Sequence, residues 1–387
     1  MDRRQLLFLG SAMGATGLPF LSNDSSAVPH ATLAPPLFRG ISFVDDGLGL
    51  TPREYALLLD TLTTAQEVHA DYYSNGGFVE ELEGTFARLL GKERAIFLPT
   101  GTLANHLAVR ALAGTDRRVL VQAESHLYND SGDCLETLSG LTAIPLGAGE
   151  ATLNRSDVRT WVDRSATGRV ETRVGVISIE NPVRRMNHQM CDPAELTAIC
   201  TYARDQGIRL HLDGARLFTL PLHTHQSVRD HAAPFDTVYV SLYKHFNGAS
   251  GAVLAGDAKV IQGMFHARRM FGGSLPQAWP EIALIPKYLE TFQDDYAKAW
   301  RAADELIAHL SSDRRFKVHR VPEGTSRFLL EVSGIAPELL TARLLHRGVT
   351  FPHPKPDTGY FPLQVNPTIL RSTPTAITQA ILDSFTS

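Results

Sequence analysis

Apolar residues recur along this chain in two alternating spacings. From Glu80 to Leu90, Leu82, Phe86, Leu89 and Leu90 fall on one face at helical period, and the apolar run Ala95 to Leu98 behind them predicts a strand. Helical spacing returns over Thr102 to Leu112, Val119 to Gln122 predicts a second strand, and Val174 to Ile179 a third. Asp192-Pro193-Ala194-Glu195 carries an N-cap acid, a proline at the first helical position and a glutamate two residues on, so a helix opens there and runs to about Gln206. Gly207 stops it, and Ile208 to Leu212, Thr237 to Ser241 and Ala252 to Ala255 predict further strands. Strand and helix alternating over residues 80–285 predict one mostly parallel, helix-covered sheet. Beyond it, a long helix from about Ile282 to Leu310, a strand at Phe328 to Val332 and a helix at Pro337 to His346 predict a smaller α+β unit over 286–387. No internal repeat is visible.

Length and composition narrow the class. With 387 residues, 43% of them hydrophobic and 20% charged, the chain can bury a large core and divides into one big and one small unit. A formal charge of −4 without a Lys/Arg-rich block gives no electrostatic reason to expect nucleic acid as a partner. Cys134, Cys191 and Cys200 are too few and too scattered for a disulfide framework or a zinc site, and are expected to be buried, inert thiols.

The first residues differ from the body. Arg3-Arg4-Gln5-Leu6-Leu7-Phe8 leads into an uncharged Gly/Ala-rich stretch ending near Leu21, and small residues at Ser25-Ser26-Ala27 suit a signal peptidase. Residues 1–27 are therefore expected to be a twin-arginine signal peptide, too short in its apolar run to be a stable membrane anchor. Export to the periplasm follows, the alternative being an uncleaved leader on a cytoplasmic protein. Residues 28–79, with Pro35-Pro36, read as a linker and N-terminal arm.

The chemistry concentrates at strand ends. Asp213, in His211-Leu212-Asp213-Gly214-Ala215-Arg216, and Lys244, in Ser241-Leu242-Tyr243-Lys244, follow successive strands. An acid and a lysine so placed can grip two poles of one aromatic ring, which is what pyridoxal phosphate (PLP) requires. A carboxylate must sit against its pyridine nitrogen, and a lysine amine must tether it and move protons. Pro99-Thr100-Gly101-Thr102 supplies a glycine, two hydroxyls and a helix N-terminus for the phosphate, which Asn105 could extend. His126 follows the next strand, where a flat imidazole can stack on the ring. Singly, each of these residues is a commonplace cap, turn or surface residue. In this chain order, they predict the aspartate-aminotransferase-like fold of type I PLP enzymes, an α/β large domain with a smaller C-terminal α+β domain.

Phe97-Leu98-Pro99-Thr100-Gly101-Thr102-Leu103-Ala104-Asn105, the block from Leu210 to Phe218, Lys244, Phe271-Gly272-Gly273 and Ile369-Leu370-Arg371 together resemble the threonine aldolase and β-eliminating lyase family over most of residues 40–385. The resemblance implies PLP as cofactor, Lys244 as tether, Arg216 against the ring-oxygen side, and Arg371 as the guanidinium that grips a substrate carboxylate. It implies cleavage of a β-hydroxy-α-amino acid to glycine and an aldehyde, with Lys244 or His126 handling protons. β-Elimination, transamination, racemisation, or an exported PLP-fold protein without catalysis are the alternatives. It also implies a homodimer or homotetramer, with Tyr72 or Tyr73 reaching a neighbouring subunit. Three departures fall on the substrate side. Val183 stands where the family has a histidine at the substrate hydroxyl, leaving Arg184, His188 or His126 to serve; Val44-Asp45-Asp46-Gly47 replaces a Ser-Asp-Thr pattern; and Pro276 replaces an arginine.

Overall fold

In the computed structural model, residues 37–386 are described; the arginine pair, the Gly/Ala-rich stretch and the expected cleavage site lie outside them. The described strands are β1 (Ile41–Ser42), β2 (Arg94–Leu98), β3 (Arg118–Gln122), β4 (Thr142–Leu146), β5 (Val174–Glu180), β6 (Arg209–Asp213), β7 (Thr237–Ser241), β8 (Ala252–Gly256), β9 (Phe316–Arg320), β10 (Arg327–Val332), β11 (Val349–Thr350) and β12 (Phe361–Gln364). Seven of them form one sheet in the order β2-β8-β7-β6-β5-β3-β4. Only β8 runs against its neighbours, so the sheet is parallel elsewhere. Every residue of β5, β7 and β8 is buried, because helices cover both faces. The C-terminal ends of β2, β3, β5, β6 and β7 therefore open on one edge, the place where open α/β sheets bind ligands.

Helix Gly77–Leu90 packs Phe78, Leu82, Phe86 and Leu90 into this core, each worth roughly 1.5–3 kcal/mol of burial. Leu89, expected on the same face, is 37% exposed: it lies at the rim of a stripe set by the four-residue step from 78 to 90. β4 was not anticipated. Pro145 breaks its apolar run, and is tolerated because β4 is an edge strand that turns this residue outward.

The N-terminal arm is more than a linker. It carries a helix, Pro52–Thr64, opened by a capping box in which the Thr51 hydroxyl accepts from the Glu54 N–H while Glu54 accepts from Thr51. Before that helix, β1 pairs in parallel with β11, so the arm joins the C-terminal part of the chain. There β12-β10-β9 form an antiparallel sheet. The 27-residue helix Ile285–Ser311 spans both cores, its first half contributing Ile285 and Phe292 to the large one and its second half Ala303, Leu306 and Leu310 to the small one, against Phe328 and Leu330. No helix among the described residues is long and apolar enough to cross a membrane. All three cysteines are buried and free, and burial pushes their thiols up, Cys191 to about 12.

Candidate active site

Asp213 ends β6 and is 3% exposed, yet no cation pairs with it among the described residues. Its carboxylate accepts from the Asn105 side-chain amide at 2.6 Å and from the Ala215 N–H at 3.1 Å, both neutral donors. Asn105, expected to extend the phosphate cradle, is thus committed to Asp213. Its own oxygen lies 2.9 Å from His211 Nε2, and His211 Nδ1 lies 2.9 Å from the Thr237 hydroxyl. Burial pushes the His211 imidazole down to about 4, against the pull of Asp213, so the ring is neutral and donates from Nε2 to Asn105. One relay of neutral groups therefore fixes the position of a buried carboxylate.

A cavity of about 650 Å³ opens beside it, lined by Thr100, Gly101, Thr102, His126, Asp213, Arg216 and Lys244, among others. Thr100 caps helix Gly101–Ala113 by accepting from the Leu103 N–H at 3.2 Å, leaving the Gly101 and Thr102 amides, at the positive end of a helix dipole, without acceptors among the described residues. Gly101 must lack a side chain: a Cβ there would stand 2.0 Å from the Tyr239 hydroxyl. Lys244 follows β7. Its amine has no hydrogen-bond or ion-pair partner among the described residues and lies 4.8 Å from the Tyr243 ring centre.

The arm closes another wall. Gly47 lies against the lysine turn so tightly that a Cβ would come 2.3 Å from the Lys244 carbonyl oxygen. That contact delivers Asp46 to Arg216, whose Nε and Nη2 each donate to it at 2.8 Å. Burial would raise the Asp46 carboxyl, but the Arg216 guanidinium, helped by His188 and His245, holds it well below the usual range. Glu180 is a site residue that sequence reasoning missed, although an acid closing a mostly apolar run was the available signal. It lies directly across from Asp213 in the β5–β6 register, and its carboxylate accepts from the backbone N–H of His126 at 2.6 Å and of Arg184 at 2.9 Å. Burial, with Asp213 adding to it, pushes its carboxyl up to about 7. Glu180 thereby positions His126, whose imidazole burial pushes below its usual value.

Other expected residues lie elsewhere. Arg371 does not line this cavity; its guanidinium donates to the carbonyls of Gly40 at 2.6 Å and Leu48 at 3.4 Å. His188 is wholly buried with Nδ1 at 2.7 Å from the Ser326 hydroxyl, away from the cavity lining, whereas Arg184 does line it, paired with Asp130. Val183 is buried and apolar. Pro276 uses its carbonyl to accept from the Tyr73 N–H at 3.0 Å.

Residues 59–326 match the family model described as beta-eliminating lyase. A low-specificity L-threonine aldolase of Candida albicans is 31% identical over 201 residues, 51% of this chain and 53% of the relative. The chain thus spans about half the length of the curated relatives it matches. A solved structure from Listeria monocytogenes EGD-E, named as a candidate L-allo-threonine aldolase, is 28% identical at a TM-score of 0.74, covering 90% of this chain and 96% of that one. The aspartate aminotransferase of Thermus thermophilus, 17% identical at a TM-score of 0.55 over 90% and 91% of the two chains, shares the fold. PLP is the cofactor of both fold families. The residues here fit it: a buried carboxylate lacking a cation, an unpartnered lysine amine, and a side-chain-free helix N-terminus all face one space.

Proposed function

Because the chain belongs to the beta-eliminating lyase family, whose members are PLP-dependent lyases, we propose that it is a lyase of the threonine aldolase type, cleaving a β-hydroxy-α-amino acid to glycine and an aldehyde. The observation that carries this reading is the convergence of Asp213, Lys244, His126 and the Thr100–Thr102 turn on one cavity. PLP, when bound, supplies a conjugated ring that draws electrons from the carbon whose bond breaks. Asp213, held in place by its neutral donors, would face the ring nitrogen and favour a proton there. The amides of Gly101 and Thr102 and the helix dipole behind them hold the phosphate. Lys244 is the tether and, once released, a base at Nζ.

His126 is the imidazole that lines the cavity, and its depressed affinity for protons leaves it neutral and able to accept the substrate hydroxyl proton. The buried apolar Val183 supports a second reading, in which the hydroxyl is not the group attacked and the site instead moves the Cα proton, in racemisation or β-elimination. We also propose a homodimer or homotetramer, in which Tyr72, 76% exposed beside Tyr73, reaches a neighbouring site.

Purified protein is expected to carry a visible absorption band that Lys244→Ala abolishes. Incubated with a panel of β-hydroxy amino acids, wild type releases glycine and an aldehyde, and the variant loses at least about 10³-fold in rate. Turnover of amino acids without any aldehyde product sinks the aldolase reading in favour of the second. Absence of the band sinks both.

A further inference from the structure

A second cavity, of about 490 Å³, shares no lining residue with the one that holds Asp213 and Lys244. Three parts of the chain build it. Helix Ile285–Ser311 contributes Ala297, Trp300, Arg301 and Asp304, which three- and four-residue steps put on one face. Met190 and Leu222 come from the side of the large core, against which both pack. The turn from β9 to β10 closes the space with Arg320, Glu323 and Arg327, and the Met190 N–H pins that turn by donating to the Glu323 carbonyl at 2.8 Å.

The polar groups of this cavity divide into those already engaged and those left over. Arg320 Nη2 lies 2.6 Å from Asp304, so these two charges answer each other. His223, also in the lining, adds no charge at neutral pH, because burial lowers its affinity for a proton. The Trp300 indole N–H donates to the Tyr296 hydroxyl at 3.0 Å, which fixes the ring in the wall. Arg327 Nε donates to the Gln364 side-chain oxygen at 3.0 Å across the β10–β12 register, and that bond orients the guanidinium. Both Nη groups of this half-buried side chain then lack an acceptor, and no carboxylate lies within ion-pair distance of them, among the described residues. Arg301 has no hydrogen-bond or ion-pair partner among them either, and Glu323 is exposed.

Three guanidinium groups against two carboxylates leave the lining with one surplus positive charge. A planar fork with two unused N–H edges matches the two oxygens of a carboxylate, and a surplus of one charge suits a singly charged anion better than a phosphate dianion. Met190, Leu222 and the indole of Trp300 offer an apolar wall beside that fork, in a space of the size that small ligands fill. We propose that this cavity binds a small monocarboxylate with a flat apolar body, the acid group on Arg327 with Arg301 adding charge beside it, and the body against Trp300, Met190 and Leu222. The assignment is independent of the lyase reading, since none of these residues lines the catalytic cavity.

The test titrates the holoenzyme with sodium benzoate, followed by calorimetry and by tryptophan fluorescence, with benzylamine and inorganic phosphate as comparison probes. Trp300 is the one of the three tryptophans that lines the cavity. Benzoate is expected to saturate and to change the fluorescence, and Trp300→Phe removes that change. Arg327→Gln weakens benzoate at least about 20-fold, Arg327→Lys by less, and Arg301→Gln about threefold, as suits a half-buried fork and an exposed charge. Benzylamine, of the same size and opposite charge, does not bind, and phosphate, without an apolar body, binds at least about tenfold more weakly than benzoate. Unchanged benzoate affinity in Arg327→Gln overturns the assignment, as does saturation that shifts the visible cofactor band while leaving the Trp300 fluorescence untouched. Phosphate or benzylamine binding as tightly as benzoate overturns the ligand class. Should Arg327→Gln fail to fold, Arg301→Glu on the exposed helix decides: it is expected to weaken benzoate about tenfold, and an unchanged affinity overturns the proposal.

Discussion

Asp46 and Asp213 face the same cavity, and the fold treats their carboxylates in opposite ways. Asp46 arrives on the arm and meets a guanidinium at two 2.8 Å contacts, so its charge is neutralised within the protein. Asp213 stands at the end of a central strand with an amide and a backbone N–H for company, beside a second acid across the register. A buried ion pair is a structural clamp, whose breaking strands a charge. A buried carboxylate given only neutral donors is an incomplete arrangement that a cationic ligand group completes. The difference separates what binds the arm down from what awaits the cofactor.

Replacing each acid by its amide breaks the comparison most directly. Asp213→Asn is expected to lower turnover by about 10³-fold, because the amide no longer favours a proton on the ring nitrogen. In protein freed of cofactor it lowers stability by less than about 1 kcal/mol, since the variant also removes a charge that opposes Glu180. Asp46→Asn reverses the pattern: stability falls by about 3 kcal/mol, as Arg216, 6% exposed, loses its partner. The sign in pH follows from the depressed folded-state value. The pair's contribution is complete above the ordinary value of 3.8 and is lost as pH falls below it. Urea melts of the two variants across the acid range, alongside turnover, decide it; a stability loss in Asp213→Asn as large as in Asp46→Asn would erase the distinction.

The same division explains what the amino-acid sequence discloses. The strand runs ending near Leu98, Gln122, Leu212 and Ser241 are mostly apolar because both faces of the sheet are covered, and polar residues at or just beyond their ends mark the sheet's open edge. Thr100, His126, Asp213 and Lys244 are legible for that reason. Glu180 follows the same logic, closing β5 as Asp213 closes β6. The arm and the C-terminal sheet are different in kind. Asp46 meets the site through the β1–β11 pairing, a backbone bond from Gln364 to Phe43, and the fit of Gly47 against the lysine turn. Pairings between segments some three hundred residues apart leave no local periodicity.

Glu180 sharpens the comparison from the other side, because it shares the unpaired region with Asp213 and its own ionisation records that environment. Its carboxyl is raised from 4.5 to about 7, chiefly by burial and next by the Asp213 charge, while the His126 and Arg184 N–H groups resist the rise. A folded value above the unfolded one means that the native chain binds the proton more tightly. Between those two values it carries more protons than the unfolded chain, so stability is full below about pH 4.5 and declines as pH rises towards 7. For cofactor-free wild type the decline is on the order of 3 kcal/mol at most, no larger than the loss from breaking the Asp46 pair. Glu180→Gln cannot titrate. It is less stable than wild type at low pH, where an amide N–H2 faces one of the two backbone donors, and the gap closes as pH rises. Asp213→Asn removes the nearby charge and shifts the wild-type decline to lower pH. Thermal midpoints of the three proteins at intervals from pH 4.5 to 7.5 measure this, and parallel profiles in all three would show that Glu180 and Asp213 do not feel one another across the β5–β6 register.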